Sequence, residues 1–109
     1  MQNYISTTLQ KQRVYFKAGH TLSLSLRKDL LRQLDEALHH YEQQLTEALW
    51  TDLHKSYEEA YLTELSIVYG EIRNHLQHMH RWARPERKSS PLAILPASSK
   101  IIKEPLGNA

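Results

Sequence analysis

Cysteine is absent from all 109 residues. That one gap removes a disulfide framework, a thiolate metal site and a cysteine nucleophile together. Glycine occurs only 3 times, which leaves no GxGxxG or GxxxxGKS loop to cradle a phosphate. No apolar run approaches the roughly 18 residues that a membrane-spanning helix needs. Met1-Gln2-Asn3-Tyr4 is too polar to open a secretory signal. With those signals missing, the expected compartment is the cytoplasm. Neither sign of charge dominates, since 14 basic and 12 acidic residues give a formal net charge of +2. What is present is an ordinary folded composition, 40% hydrophobic and 24% charged, in a chain of one-domain length.

The near-balance of charge hides a basic C-terminal part. Arg84, Arg87, Lys88, Lys100 and Lys103 face only Glu86 and Glu104 there. Arg81, Arg84, Arg87 and Lys88 surround Trp82, a combination that a nucleic-acid surface also uses. Four charges are few for affinity driven by counterion release, and cations suit the negative pole of a helix end. The cluster therefore reads as a solvated helix end, with no nucleic-acid partner expected.

The periodicity predicts a mainly helical chain. Residues 3–17 form a first helix, stopped by Gly19. Ser23 or Ser25 caps a second, whose apolar stripe is Leu26, Leu30, Leu34, Ala37 and Tyr41. Leu45, Leu49 and Leu53 lie about 100° round from that stripe at roughly 100° per residue, so a break is expected near Glu42 to Gln44. Ser56 to Glu59 has the form of a capping box and predicts a long helix over 58–83, ended by Pro85. Its core stripe is Tyr61, Leu65, Val68, Ile72, Leu76 and Met79. Thr63, Ile67 and Gly70 make a small, semi-apolar second face on the other side, where something packs or passes. After Pro85, Leu92–Leu95 and Lys100–Lys103 read as two short extended segments forming a hairpin.

The division that follows is a helical segment over 1–85 and an extended segment over 86–109. It reads as unfinished. A helix of about 39 Å overhangs a compact globule of this length, which is roughly 34 Å across, and an isolated hairpin is marginal in water.

Seven histidines invite a metal reading. Glu71, His75 and His78 share a helix face and supply two imidazoles and a carboxylate. There is no HExxH and no obvious fourth ligand, so a solvated helix face is expected and no metal. His54 reads as a turn residue.

Asp52-Leu53-His54-Lys55-Ser56, followed by Glu59-Ala60-Tyr61-Leu62-Thr63-Glu64, resembles the N-terminal helical segment of the class 3, fatty-aldehyde branch of the aldehyde dehydrogenases. Gln12-Arg13 with Phe16, Gly19 and Thr21 is similar to that family's first helix and turn. Glu71-Ile72 and Trp82 fit its long helix. Ser90-Pro91-Leu92, Pro96-Ala97, Ile101-Ile102 and Glu104-Pro105-Leu106-Gly107 fit the segment that enters its cofactor domain. The likeness covers about residues 8–107.

The resemblance implies the N-terminal part of an α/β oxidoreductase that converts aldehydes to carboxylic acids with NAD or NADP. In that family a cysteine attacks the aldehyde, hydride passes to the nicotinamide, and a glutamate helps water release the acid. The subunits are typically homodimeric. The catalytic groups and the cofactor cleft all correspond to chain beyond residue 109, so no catalytic or cofactor-binding residue is carried over. The likeness also implies that the long helix borders the aldehyde tunnel, with Thr63 and Ile67 as its candidate lining. Where the family continues into an apolar strand, this chain reads Asn108-Ala109. The expectation is therefore a fragment, inert alone, whose partners are the absent catalytic and cofactor domains or a homologous subunit. The competing readings are a helical interaction module, docking on a partner or on intact dehydrogenase subunits, and a histidine-rich metal-binding helix.

Overall fold

Helix boundaries follow the local chemistry closely. A computed structural model describes residues 2–107. Helix α1 (Gln2–Lys17) ends ahead of Gly19, which takes the left-handed φ of +78° that a turn needs there. Ser23 caps α2 (Leu24–His40) by accepting a hydrogen bond from the Leu26 N–H. The break comes at Tyr41, whose φ of −97° and ψ of 9° separate α2 from α3 (Glu42–Leu53). His54 adopts a left-handed conformation and turns the chain. Ser56 then accepts from the Glu59 N–H and starts α4 (Tyr57–Ala60).

The long helix is not a uniform cylinder. Between α4 and α5 (Ser66–Trp82) lies one π-helical turn, Tyr61–Leu65, in which the Ser66 N–H reaches back to the Tyr61 carbonyl. Two hydroxyls, one inside the turn and one just past it, bond carbonyls four residues earlier. Thr63 Oγ1 donates to Glu59 O at 2.8 Å and Ser66 Oγ to Leu62 O at 3.0 Å. Such back-bonding competes with the helix ladder and bends helices.

The widened turn rotates the buried face. Ala60, Leu65, Tyr69 and Ile72 are buried, a spacing of five, four and three. Tyr61 and Val68, expected in the core on a regular period, are left exposed. Leu65 and Ile72 are buried as the pattern predicts. On α2, Leu30 and Leu34 stay about half exposed, so that predicted stripe is only partly covered among the described residues.

Among the described residues the architecture is mainly α: α1, α2, α3 and one long helix made of α4, the π turn and α5, then a short two-stranded antiparallel hairpin. The strands are β1 (Glu86–Lys88) and β2 (Ser99–Ile101), with Glu86 opposite Ile101, Arg87 opposite Lys100 and Lys88 opposite Ser99. The first strand is thus not Leu92–Leu95, as the apolar run suggests. Pro91 and Pro96 bracket that run without donors, and Leu92–Ile94 closes into a 3₁₀ turn instead.

The chain divides into two compact units, one of Ser23–His78, the other of the residues up to Leu22 together with those from Met79 on. Every buried residue among those described, Thr46 included, lies in the first. No helix among the described residues is long and apolar enough to cross a membrane.

Candidate functional site

The first polar cluster of the Ser23–His78 unit is built on Glu42, at the start of α3. Glu42 follows the break at Tyr41, which turns its carboxylate toward the long helix. Tyr57 donates its hydroxyl to Oε1 at 2.9 Å, and Tyr69 donates to Oε2 at 2.9 Å. One carboxylate thereby ties α3 to α4 and α5 across 15 and 27 residues of chain. His39 of α2 stacks on Tyr69 at 4.1 Å between ring centroids, and Tyr61 lies against both tyrosines.

The electrostatics agree with a clasp. Burial and the hydrogen bond to Glu42 push the Tyr69 phenol up to about 12. The same carboxylate raises Tyr57 above its ordinary value. Both phenols hold their protons, and each oxygen of the Glu42 carboxylate accepts one of the two hydrogen bonds. Sequence reasoning missed this cluster. Its members lie 15 and 27 residues apart in the chain, beyond the reach of any local signal.

A second cluster contains a sequence-predicted site residue. Lys55 Nζ donates to Thr63 Oγ1 at 3.3 Å and forms an ion pair with Glu64. Thr63 sits in the π turn, a feature common at functional sites. Its single hydroxyl proton is committed to Glu59 O. Ile67, one turn on, is 57% exposed, and a Cβ built at Gly70 would meet nothing within 4 Å. The structure therefore places Thr63, Ile67 and Gly70 on an open face. A cavity of about 360 Å3 is lined by Thr46, Glu47, Trp50, Thr51, Lys55 and Tyr57. Neither Thr63 nor Ile67 borders it.

Two histidines of α5 bond carbonyls one turn back. His75 Nδ1 donates to the Glu71 carbonyl at 2.8 Å, 3.8 Å from the Glu71 carboxylate. His78 Nδ1 donates to the Asn74 carbonyl at 2.9 Å. Among the described residues no group of three or more His, Asp or Glu could hold a metal ion.

No protein-family model matches the chain. Individual relatives do. The chain is 34% identical over 105 residues to 4,4'-diaponeurosporen-aldehyde dehydrogenase of Staphylococcus aureus, covering 96% of this chain and 23% of that protein. It is 40% identical over 99 residues to mouse aldehyde dehydrogenase family 3 member B1, covering 91% of this chain and 21% of the relative. A substrate-bound structure of Staphylococcus aureus AldH superposes with a TM-score of 0.88 at 34% identity, over 93% of this chain and 22% of that one. The chain spans about a fifth of the length of the curated relatives it matches.

Proposed function

From the premise that this chain is homologous to aldehyde dehydrogenases, family 3 members among them, as an N-terminal segment of class 3, we propose that it is a non-catalytic part of such an enzyme. The whole oxidises an aldehyde to a carboxylic acid with NAD or NADP. These 109 residues supply structure and not chemistry. The observation that carries this reading is the pairing of that homology with the residues present. A thiol nucleophile is needed for thiohemiacetal formation, and the chain contains no cysteine. The nearest thing to a catalytic constellation, Glu42 with its two tyrosines, spends both phenol protons on bonds between helices.

In this reading 1–85 is the helical segment, and 86–109 leads toward the cofactor domain of the whole enzyme. The half-exposed Leu30 and Leu34 of α2 are surface that the catalytic and cofactor domains, or a homologous subunit, cover. The same exposure favours the second reading, a helical interaction module that binds intact dehydrogenase subunits. Thr63 and Ile67 line the aldehyde tunnel of the assembled enzyme. Their support is the open face they share with Gly70 and the π turn that presents Thr63.

The test uses the purified 109-residue chain. With NAD or NADP and medium-chain or aromatic aldehydes it gives no reduction of cofactor above background. Mixed with a family 3 enzyme lacking the corresponding segment, it restores turnover, and Ile67→Trp in that mixture raises KM for long aldehydes more than for short ones. Dose-dependent turnover by the chain alone overturns the non-catalytic reading. A mixture that stays inactive while the chain binds intact subunits favours the interaction module.

A further inference from the structure

The hairpin carries a charge arrangement that neither strand pairing nor the aldehyde reading uses. Arg87 and Lys100 are register partners, directly opposite each other on β1 and β2. Like charges in that position repel and weaken a sheet. The remedy would be an acid nearby, but Glu86 is already engaged. It pairs with Lys103 at 3.0 Å and Lys88 at 3.4 Å, and those two cations hold its carboxyl below the usual range. Among the described residues no acidic side chain forms an ion pair with Arg87 or Lys100. Two positive charges are left facing each other.

A cavity of about 320 Å3 lies at the same place, lined by Arg87, Lys88, Ser90, Leu95, Ser98 and Lys100 among others. That is the lower end of the size range of small-ligand sites. The hydroxyl protons there can be counted. Ser90 donates its one proton to the Ala97 carbonyl at 3.0 Å. The 2.9 Å bond between Ser90 and Ser99 must therefore carry the Ser99 proton. Ser98 alone of the three keeps a hydroxyl with no partner among the described residues.

The geometry points to an anion site in the hairpin, where Arg87, Lys100 and Ser98 bind a soluble phosphate-type dianion. Two unpaired cations match two negative charges. A guanidinium and a hydroxyl are donors that suit phosphate oxygens, and Leu95 leaves room for a small organic group, as in a phosphate monoester. Binding removes the cross-strand repulsion, so the ligand also steadies the hairpin. The site is independent of whether the chain belongs to a working dehydrogenase.

Inorganic phosphate is the probe. It is titrated into the 109-residue chain, followed by amide NMR, with sodium chloride holding ionic strength constant. Saturable shifts are expected at Arg87, Ser98, Ser99 and Lys100, and none in residues 23–78. Arg87→Gln and Lys100→Gln each weaken binding about tenfold, and Ser98→Ala about threefold. Shifts that chloride reproduces, or no shift at all, overturn the proposal. Ser98 lies outside both strands, so Ser98→Ala leaves the ladder intact, and unchanged affinity in that variant also overturns it. Vesicles with phosphatidic acid as their only anionic lipid separate a lipid source from a soluble one. Binding to them without a response to inorganic phosphate counts against the site as proposed.

Discussion

The Ser23–His78 unit and the hairpin from Glu86 onward are held by different chemistry. In the first, Ala60, Leu65, Tyr69 and Ile72 are buried together with Thr46, and a doubly bonded carboxylate ties three helices. In the second no described residue is buried. Three register pairs, two ion pairs on Glu86, one serine–serine bond and the Ser90–Ala97 bond hold it. Exposed ion pairs contribute little, about 0–1 kcal/mol each, and a lone two-stranded ribbon is marginal. The helical unit therefore carries its own cooperative core, whereas the hairpin depends on local contacts that open easily.

The largest way to test that contrast is a cavity in the core. Ile72→Ala should cost about 2–5 kcal/mol, a large share of what so few buried side chains supply. Urea unfolding followed by far-UV circular dichroism should show the midpoint collapse, while the Glu86–Ile101 cross-strand contacts, read by NMR without urea, stay as in the parent chain. Loss of those contacts in the variant without urea would break the comparison.

Next in size is the Glu42 clasp. Tyr69→Phe removes a buried hydrogen bond to a charged group and should cost about 1.5–3 kcal/mol. Its pH signature is specific. The Tyr69 phenol is raised in the folded state to about 12 from an ordinary 10, so its contribution is complete below about pH 10 and fades as pH climbs toward 12. Stability measured against pH should fall across that window in the parent chain. The fall should be shallower in Tyr69→Phe. An identical slope in both would mean that burial and Glu42 together do not raise the phenol.

Much of this architecture is legible in the residues, and the failures have physical causes. Gly19, Ser23 and Ser56 each announce a helix boundary through local chemistry, and the shift from Leu34 to Leu45 announces the break that the structure places at Tyr41. Local signals of that kind act within four residues and survive any tertiary context. The core register of the long helix did not: before the π turn Ala60 is inside where Tyr61 was expected, and beyond it Tyr69 is buried in place of Val68. Thr63 and Ser66, two hydroxyls in mid-helix, were the available hint. The hairpin register also escaped. Apolar character suggested Leu92–Leu95, but flanking prolines and the charge pairs on Glu86 favour the polar Glu86–Lys88. The Glu42 clasp joins residues up to 27 positions apart, which no local pattern encodes.

The smallest expected effect has a sign that depends on what surrounds the long helix. Gly70 sits inside α5, and an added Cβ meets nothing within 4 Å. A helical glycine is about 1 kcal/mol less favourable than alanine, so Gly70→Ala should stabilise the 109-residue chain by about 0.5–1 kcal/mol. In an assembled dehydrogenase the same methyl would project from the face that Thr63 and Ile67 share. If that face is covered there, overpacking should cost about 1–3 kcal/mol and reverse the sign. Paired melting curves of the isolated chain and of the reassembled enzyme read both numbers. Stabilisation in both settings would mean that nothing packs on this side of α5, as a wall facing an open tunnel requires. Opposite signs would identify the open face as a surface shaped for a neighbour.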